Sequence, residues 1–436
     1  MTHAASSARY RLEPVQRVGG ELSVPGDKSI SHRSLMLGGL ARGTTRVHGF
    51  LASEDCLASL AALAAMGVRI ERPAPTEVIV HGVGMDGLRA PAAQLDMGNA
   101  GTAIRLFMGL LSWQRFDTTL VGDASLMRRP MERVARPLRS MGARIDTLDG
   151  RPPVRIGGGT PLAAIDYAMP MASAQVKSAV LLAALRAAGT TRVTEPAPTR
   201  DHTERMLQGF GVTVQRSGAM VALAGGQSLD ACEINVPADF SSAAFFIVAG
   251  CLAAHDGLVV RNVGINPTRT GLLDMLKLMG ADIRIEPRPA AGPEPIADIH
   301  VRASRLRGIR VPEELVALSI DEFPVFFIAA ACAEGETLVT GAAELRVKES
   351  DRLAVMAEGL AQVGIDCELL PDGLRIQGGQ IRGGRIDSRG DHRIAMSFAI
   401  ASCRASAPIE IDDVANVATS FPGFPHHARA IGLDLT

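Results

Sequence analysis

Six times along the chain an Ala-rich apolar stretch of helical length ends in a hydrophobic residue and a glycine, and alternating apolar and polar residues follow. The copies read AAMGVRIE at Gly67, RSMGARID at Gly142, QGFGVTVQ at Gly211, KLMGADIRI at Gly280, AQVGIDCEL at Gly364 and RAIGLDL at Gly432. Their spacing of about 70 residues marks each copy as one supersecondary unit. A glycine here fits the left-handed position that closes a helix, and the period-two alternation after it predicts a strand. Upstream of each lies an Ala-rich helix and then a strand: LARGTTRV at Gly43, WQRFDTTLV at Asp117, RAAGTTRV at Gly189, AAHDGLVV at Gly257, CAEGETLV at Gly335 and SAPIEI at Pro408. The predicted unit is helix, strand, helix, strand, strand. The wider gap before Gly364 is assigned to a hairpin insertion in EPRPAAGPEPIAD, Glu286 to Asp298. Units this long, divergent and few do not describe a solenoid.

At 436 residues the chain exceeds what one core usually holds, which favours two domains of three units each. With 47% hydrophobic but 4% aromatic residues, that core must be built from Ala, Val, Leu, Ile and Met. Lys plus Arg is 45 against 46 for Asp plus Glu, which argues against a nucleic-acid binder. Any anion binding must come from local clusters. The cysteines at 56, 232, 251, 332, 367 and 403 show no CxxC pair and no His-containing metal spacing, so they read as buried reduced thiols, without disulfides or zinc. No uninterrupted apolar run is long enough to span a membrane, and MTHAASSARYRLEP has no apolar core of a signal peptide. The expected location is the cytoplasm, with no membrane partner.

Candidate chemistry lies where each unit begins. The predicted starts of the six unit-opening helices are PGDKSISHR (Pro25 to Arg33), GNAGTAIR (Gly98 to Arg105), MASAQVK (Met171 to Lys177), DFSSAAF (Asp239 to Phe245), DEFPVFF (Asp321 to Phe327) and DHRIAM (Asp391 to Met396). Ser29, Thr102, Ser173, Ser241, Asp239, Asp321 and Asp391 offer the short oxygen-bearing side chains that cap helices. For DFSSAAF capping is the whole expectation. Capping does not explain Lys28, Arg33, Arg105 and Arg393. Cations in the first turns oppose the helix macrodipole unless an anion binds there. MRRPM (Met127 to Met131) and ELRVKESDR (Glu344 to Arg352) add two Arg-rich clusters. Two lookalikes fall away. HGVGMDGL has dinucleotide-type glycines at Gly82, Gly84 and Gly87, but LRAPAAQ follows instead of a helix start, so a turn is expected. GDKS lacks the upstream glycine of a phosphate-binding loop, and no ATP is implied.

PGDKSISHR, GNAGTAIR, GDASLMRRPM, MASAQVKSA, TRDHTERML, RVKESDRL and GDHRIAMSF together resemble the signature segments of the 5-enolpyruvylshikimate-3-phosphate synthases, a branch of the enolpyruvyl transferase family, from Glu21 to the C-terminus. The resemblance implies an α/β fold: a two-domain inside-out α/β barrel (prism) of six βαβαββ units, three per domain around a pseudo-threefold axis. Residues 1–22 with 241–436 would form one domain and 23–240 the other, the active site lying in the cleft between them. The implied reaction transfers the enolpyruvyl group of phosphoenolpyruvate to the 5-hydroxyl of shikimate 3-phosphate by addition and elimination, releasing phosphate. It needs proton transfer and electrostatic clamps, with no cofactor and no metal. The implied partners are those two small molecules alone, bound by a monomer.

By the same resemblance Lys28 would touch both substrates and stabilise developing charge. Ser29 and Arg33 would hold the shikimate carboxylate side, and Ser173, Ala174 and Arg200 the 3-phosphate, with Gln175 reaching the ring and phosphoenolpyruvate. Asn99, Gly101, Arg129, Arg352 and Arg393 would clamp phosphoenolpyruvate, a task suited to bidentate Arg. Asp321 would accept the 5-hydroxyl proton, Lys348 orient that hydroxyl, and Glu349 exchange the methylene proton. Many relatives carry a lysine just before the C-terminal Ser/Thr-Phe-Pro, and this chain, which reads Asn416-Val417-Ala418-Thr419-Ser420-Phe421-Pro422, has none near Ala418; its share is then absent or falls to Lys28. Gly101 leaves room for the inhibitor glyphosate, which an added methyl there discriminates against in the family. The sister enzyme acting on UDP-N-acetylglucosamine should place a reactive cysteine in the loop aligned with Gly122 to Met131, and GDASLMRRPM has none. A non-catalytic polyanion-binding repeat protein would not need Asp321 and Glu349 beside basic motifs.

Overall fold

The computed structural model describes residues 8–289 and 292–436, so the first seven residues of the N-terminal segment and two residues of the Pro-rich insertion lie outside the described residues. Six unit-opening helices are present: α1 (Lys28–Leu40), α2 (Gly101–Leu111), α3 (Ala174–Ala184), α4 (Phe240–Ala253), α5 (Phe323–Ala331) and α6 (His392–Ala401). FSSAAFFIVAGCLA in α4 and FPVFFIAAA in α5 have no polar stripe, and a helix of that kind must be covered on every side. Every residue of α4, α5 and α6 is buried.

After α1 come the strand Arg42–His48, the helix Glu54–Ala65 and the hairpin Arg69–Ala74 with Glu77–Val83. The six glycines that end the second helices, Gly67 through Gly432, have φ between 82° and 102°. In that region a Cβ is strained, so the helix-to-strand reversal selects glycine. Gly82, at the end of the strand Glu77–Val83, leads into a turn, as expected for HGVGMDGL.

Contacts divide the chain into two compact units, one of Gly26–Val236 with Ala290–Glu294 and one of Met1–Pro25, Pro237–Pro289 and Pro295–Thr436. Each holds three sheets and its own apolar core. In the Gly26–Val236 unit, Arg42–His48 lies between Glu77–Val83, antiparallel, and Glu233–Asn235, parallel. There α2 and α3 cross at Gly109, where a Cβ would lie 2.1 Å from the Ala179 carbonyl oxygen. No larger residue fits that crossing. In the other unit α4, α5 and α6 pack on one another and each also on its own sheet, which puts helices inside and sheets outside.

Two short strands are exchanged along the chain. Gly20–Leu22 precedes α1 yet pairs with Leu258–Gly264, while Glu233–Asn235 precedes α4 yet pairs with Arg42–His48. The sixth copy departs from the predicted pattern. Phe424–Ala430 ends at Gly432, but the residues after it make a single bridge, Leu435 to Leu12, and the antiparallel partner of Ile409–Asp412 is Tyr10–Leu12. The insertion before Gly364 is a hairpin, Asp282–Arg288 with Ile296–Arg302, and a further helical turn, Glu313–Val316, adds to the gap. Of the cysteines, Cys56, Cys251 and Cys403 are buried and the other three are half-buried.

Candidate active site

In the Gly26–Val236 unit, Asp27 caps α1, its Oδ1 accepting from the Ile30 amide at 2.9 Å. Ser29 therefore does not cap; it lies in the first turn, where its carbonyl accepts from Arg33 Nη1 at 3.0 Å. Lys28 Nζ reaches Asp55 Oδ2 at 2.9 Å. Arg33 is buried, donating from Nε to Thr203 Oγ1 at 2.7 Å and from Nη2 to Ser178 Oγ at 2.8 Å. Burial draws its pKa down to about 10, Glu204 and Asp27 oppose the shift, and the charge of Arg200 adds to it. Arg33 thus stays a cation beside a second cation, an arrangement that a bound anion relieves. Beneath them His32 is fully buried with Nδ1 2.8 Å from Ser59 Oγ. Burial, with Lys28 and Arg33, pushes its pKa to about 3, so it stays neutral.

At α2 the cap position is Ala100, which makes no side-chain cap. Thr102 does not cap either, because its Oγ1 accepts from Gln175 Nε2 at 2.9 Å. Gln175 Oε1 accepts from Arg105 Nη1 at 2.7 Å, and Arg105 Nη2 donates to the Pro130 carbonyl at 3.0 Å. This fully buried guanidinium ties the starts of α2 and α3 to the Arg129 loop. Arg129 is buried, and Gly101 abuts its guanidinium so closely that a Cβ would lie 2.3 Å from Nη1. Asn99 donates to Asp123 Oδ2 at 2.8 Å. Ser173 does cap α3, accepting from the Val176 amide at 3.5 Å, with Ala174 as the first helical residue.

In the other unit one guanidinium gathers three carboxylates. Arg352, 1% exposed, donates from Nη2 to Glu349 Oε2 at 2.6 Å and from Nε to Asp391 Oδ2 at 2.8 Å, and its Nη1 is 3.5 Å from Asp321 Oδ1. Lys348 Nζ is 3.4 Å from the same Asp321 oxygen and 3.1 Å from Glu344 Oε1. Arg393 Nη1 donates to the Asp321 carbonyl at 2.7 Å. Asp321 is consequently not a cap: Glu322 holds the cap position of α5, and the Asp321 carboxylate faces the two cations. Asp391 caps α6 through the Arg393 amide at 3.0 Å. Burial pushes the Asp391 carboxyl up, but Arg352 beside it holds it below its usual range.

Asp239 caps α4 through the Ser242 amide at 3.1 Å, as expected for DFSSAAF. Ser241 is more than part of a cap. Its hydroxyl accepts from Arg269 Nη2 at 2.6 Å and donates to Glu322 Oε1, the oxygen that lies 3.6 Å from Arg393 Nη1. The structure thus groups Asp321, Lys348, Glu349, Arg352 and Arg393 in one unit. Lys28, Ser29, Arg33, Asn99, Gly101, Arg129, Ser173, Ala174, Gln175 and Arg200 belong to the other. None of them is fully exposed. The sequence reading left out Asp55, Asp123, Ser178, Thr203 and Glu322, and gave Arg105 no contact. Asp55 follows Ser53 and Glu54 in what reads as an ordinary acidic helix start, so its tie to Lys28 left no local signal.

Among the described residues no three His, Cys, Asp or Glu side chains are grouped to hold a metal ion, and no helix is long and apolar enough to cross a membrane. Fold and side chains together define an α/β protein of two three-sheet units whose helix starts carry buried cations and, in one unit, carboxylates gathered on a buried guanidinium. An EPSP synthase structure from Acinetobacter baumannii shares this fold with TM-score 0.87 and 55% identity, the match covering 98% of this chain and 99% of that one. The family described as EPSP synthase (3-phosphoshikimate 1-carboxyvinyltransferase) matches residues 12–427. A 3-phosphoshikimate 1-carboxyvinyltransferase from Methylococcus capsulatus is 61% identical over 427 residues, 98% of each chain. One from Halorhodospira halophila is 59% identical over 98% of this chain and 96% of its own. The chain belongs to the EPSP synthase family.

Proposed function

We propose that this enzyme transfers the enolpyruvyl group of phosphoenolpyruvate to the 5-hydroxyl of shikimate 3-phosphate, with the acid–base work done around Arg352. The observation that carries the mechanism is that one buried guanidinium holds Asp321 and Glu349 together. In the addition, Glu349 delivers a proton to the vinyl methylene, C2 becomes cationic, and the 5-oxygen attacks it as its proton passes to Asp321. In the elimination, the new methyl group returns a proton to Glu349 while the C2–O bond to phosphate breaks. Lys348 orients the 5-hydroxyl, while Lys28 stabilises developing charge and takes over the part of the lysine missing near Ala418.

Arg129, Arg352 and Arg393, with Asn99, Gly101 and Gln175, bind phosphoenolpyruvate. Ser29 and Arg33 hold the shikimate carboxylate side, and Ser173, the Ala174 amide and Arg200 hold the 3-phosphate. The Ala174 and Gln175 amides at the start of α3, ahead of the Val176 amide that Ser173 caps, supply donors for that phosphate. Arg200 supplies charge for the phosphate, with the Arg33 cation near it on the carboxylate side. The enzyme works in the cytoplasm as a monomer. A phosphate-release assay with both substrates tests the reaction, UDP-N-acetylglucosamine serving as the alternative acceptor. Turnover is expected with shikimate 3-phosphate alone; turnover with the nucleotide sugar instead would overturn the assignment.

A further inference from the structure

The MASAQVK segment that opens α3 ends in a lysine to which the proposed chemistry gives no part. Lys177 is fully buried, so it cannot reach a substrate. Its Nζ lies 2.7 Å from Glu204 Oε1 and 3.0 Å from Glu195 Oε2, and it donates to the Thr199 carbonyl at 3.3 Å. Both glutamates are themselves buried, and Glu195 accepts in addition from the Thr199 hydroxyl. Such a cluster is a weak source of net stability, since desolvating three charges offsets most of their attraction. What it does supply is geometry.

The three partners of Lys177 bracket Arg200. Glu195 and Thr199 lie before it, Glu204 after it, and between the strand Thr190–Thr194 and the helix His202–Gly209 the segment has no regular structure of its own. On the far side Thr203 is fixed as well, accepting from Arg33 at 2.7 Å and donating to Ser178 Oγ at 2.7 Å. An irregular segment holds a side chain in place only if its backbone is tied down from outside. Here the ties come from Lys177 and Ser178 of α3, the helix capped by Ser173 and opened by Ala174, and from Arg33 of α1.

We propose that Lys177 is a positioning residue for the acceptor's phosphate. By anchoring both flanks of Arg200 to α3, it fixes where that guanidinium is presented and so sets the preference for a phosphorylated acceptor, an inference that rests on Arg200 being a ligand of the 3-phosphate. The test compares dissociation constants of the full chain for shikimate 3-phosphate and for shikimate, measured by calorimetry. Lys177→Gln should weaken shikimate 3-phosphate about tenfold and leave shikimate within about twofold, because a displaced guanidinium costs only the phosphate contact. Thr199→Val, which keeps the buried charges, should shift the same ratio about threefold. Arg200→Ala should lower it at least as far as Lys177→Gln, and the double variant Lys177→Gln/Arg200→Ala should fall no further than Arg200→Ala alone. A ratio unchanged by Arg200→Ala would overturn the ligand assignment itself. A ratio lowered by Arg200→Ala but untouched by the other two would overturn the role of Lys177. Should Lys177→Gln not fold, Thr199→Val and Glu195→Gln decide on the same ratio.

Discussion

Replacing Gly101 with alanine perturbs a single contact. The added Cβ would stand 2.3 Å from Arg129 Nη1, 2.6 Å from Cζ and 2.9 Å from Nη2, where ordinary contact begins at 3.4 Å. The guanidinium must therefore retreat by about 1 Å, and its buried surroundings limit how it can do so. A bidentate ion pair does not survive such a shift, and losing one charge-assisted hydrogen bond costs about 1.5–3 kcal/mol. That corresponds to a fall of about tenfold to a hundredfold in kcat/KM for phosphoenolpyruvate. Steady-state kinetics with each substrate varied in turn should show the loss on phosphoenolpyruvate and at most about a twofold change on shikimate 3-phosphate. In an Arg129→Ala background the same substitution should cost little further, because the group it displaces is gone. An unchanged kcat/KM for phosphoenolpyruvate, or an equal loss on both substrates, would refute the reasoning.

Asp321→Asn and Glu349→Gln keep acceptors for Arg352 while removing proton transfer, and each should lower kcat by on the order of a hundredfold or more. Single-turnover phosphate release measures this, and rates like the parent's would remove the roles. His32 gives a prediction in pH. Its folded pKa of about 3 lies below the ordinary 6.5, so between those values the unfolded chain binds a proton that the native one does not. Stability should fall as pH drops through that window, by about 2 kcal/mol from this group at pH 5. Urea unfolding at pH 7 and pH 5 should show a smaller loss for His32→Gln than for the parent; equal losses would contradict the burial argument.

The repeat was legible because its punctuation is chemical. A helix that must reverse into a strand leaves a glycine behind, and six of them share one left-handed conformation. The unit-opening helices were legible for a similar reason, since a run such as FPVFFIAAA has nowhere to go but inside. The caps misled. Ser29, Thr102, Ser241 and Asp321 have the side chains of caps, but Asp27 or a neighbouring residue takes the cap position, and three of the four turn their side chains to partners from other segments. Local chemistry cannot distinguish an oxygen facing its own helix from one facing a distant guanidinium. Asp55 and Thr203 were hidden for the same reason, as contacts of Lys28 and Arg33 made across 27 and 170 residues.

The exchanged strands bear on the order in which the protein can fold as it is made. The Gly26–Val236 unit can close its Arg42–His48 sheet once Glu233–Asn235 has been synthesised. Tyr10–Leu12 and Gly20–Leu22 leave the ribosome first yet have no partners until Ile409–Asp412 and Leu258–Gly264 emerge. Loop closure over such separations is slow, and unpaired strand edges invite the wrong partner meanwhile. The shortness of both segments, three residues each, limits that hazard: too little edge is exposed to template a stable mispairing before the native strands arrive.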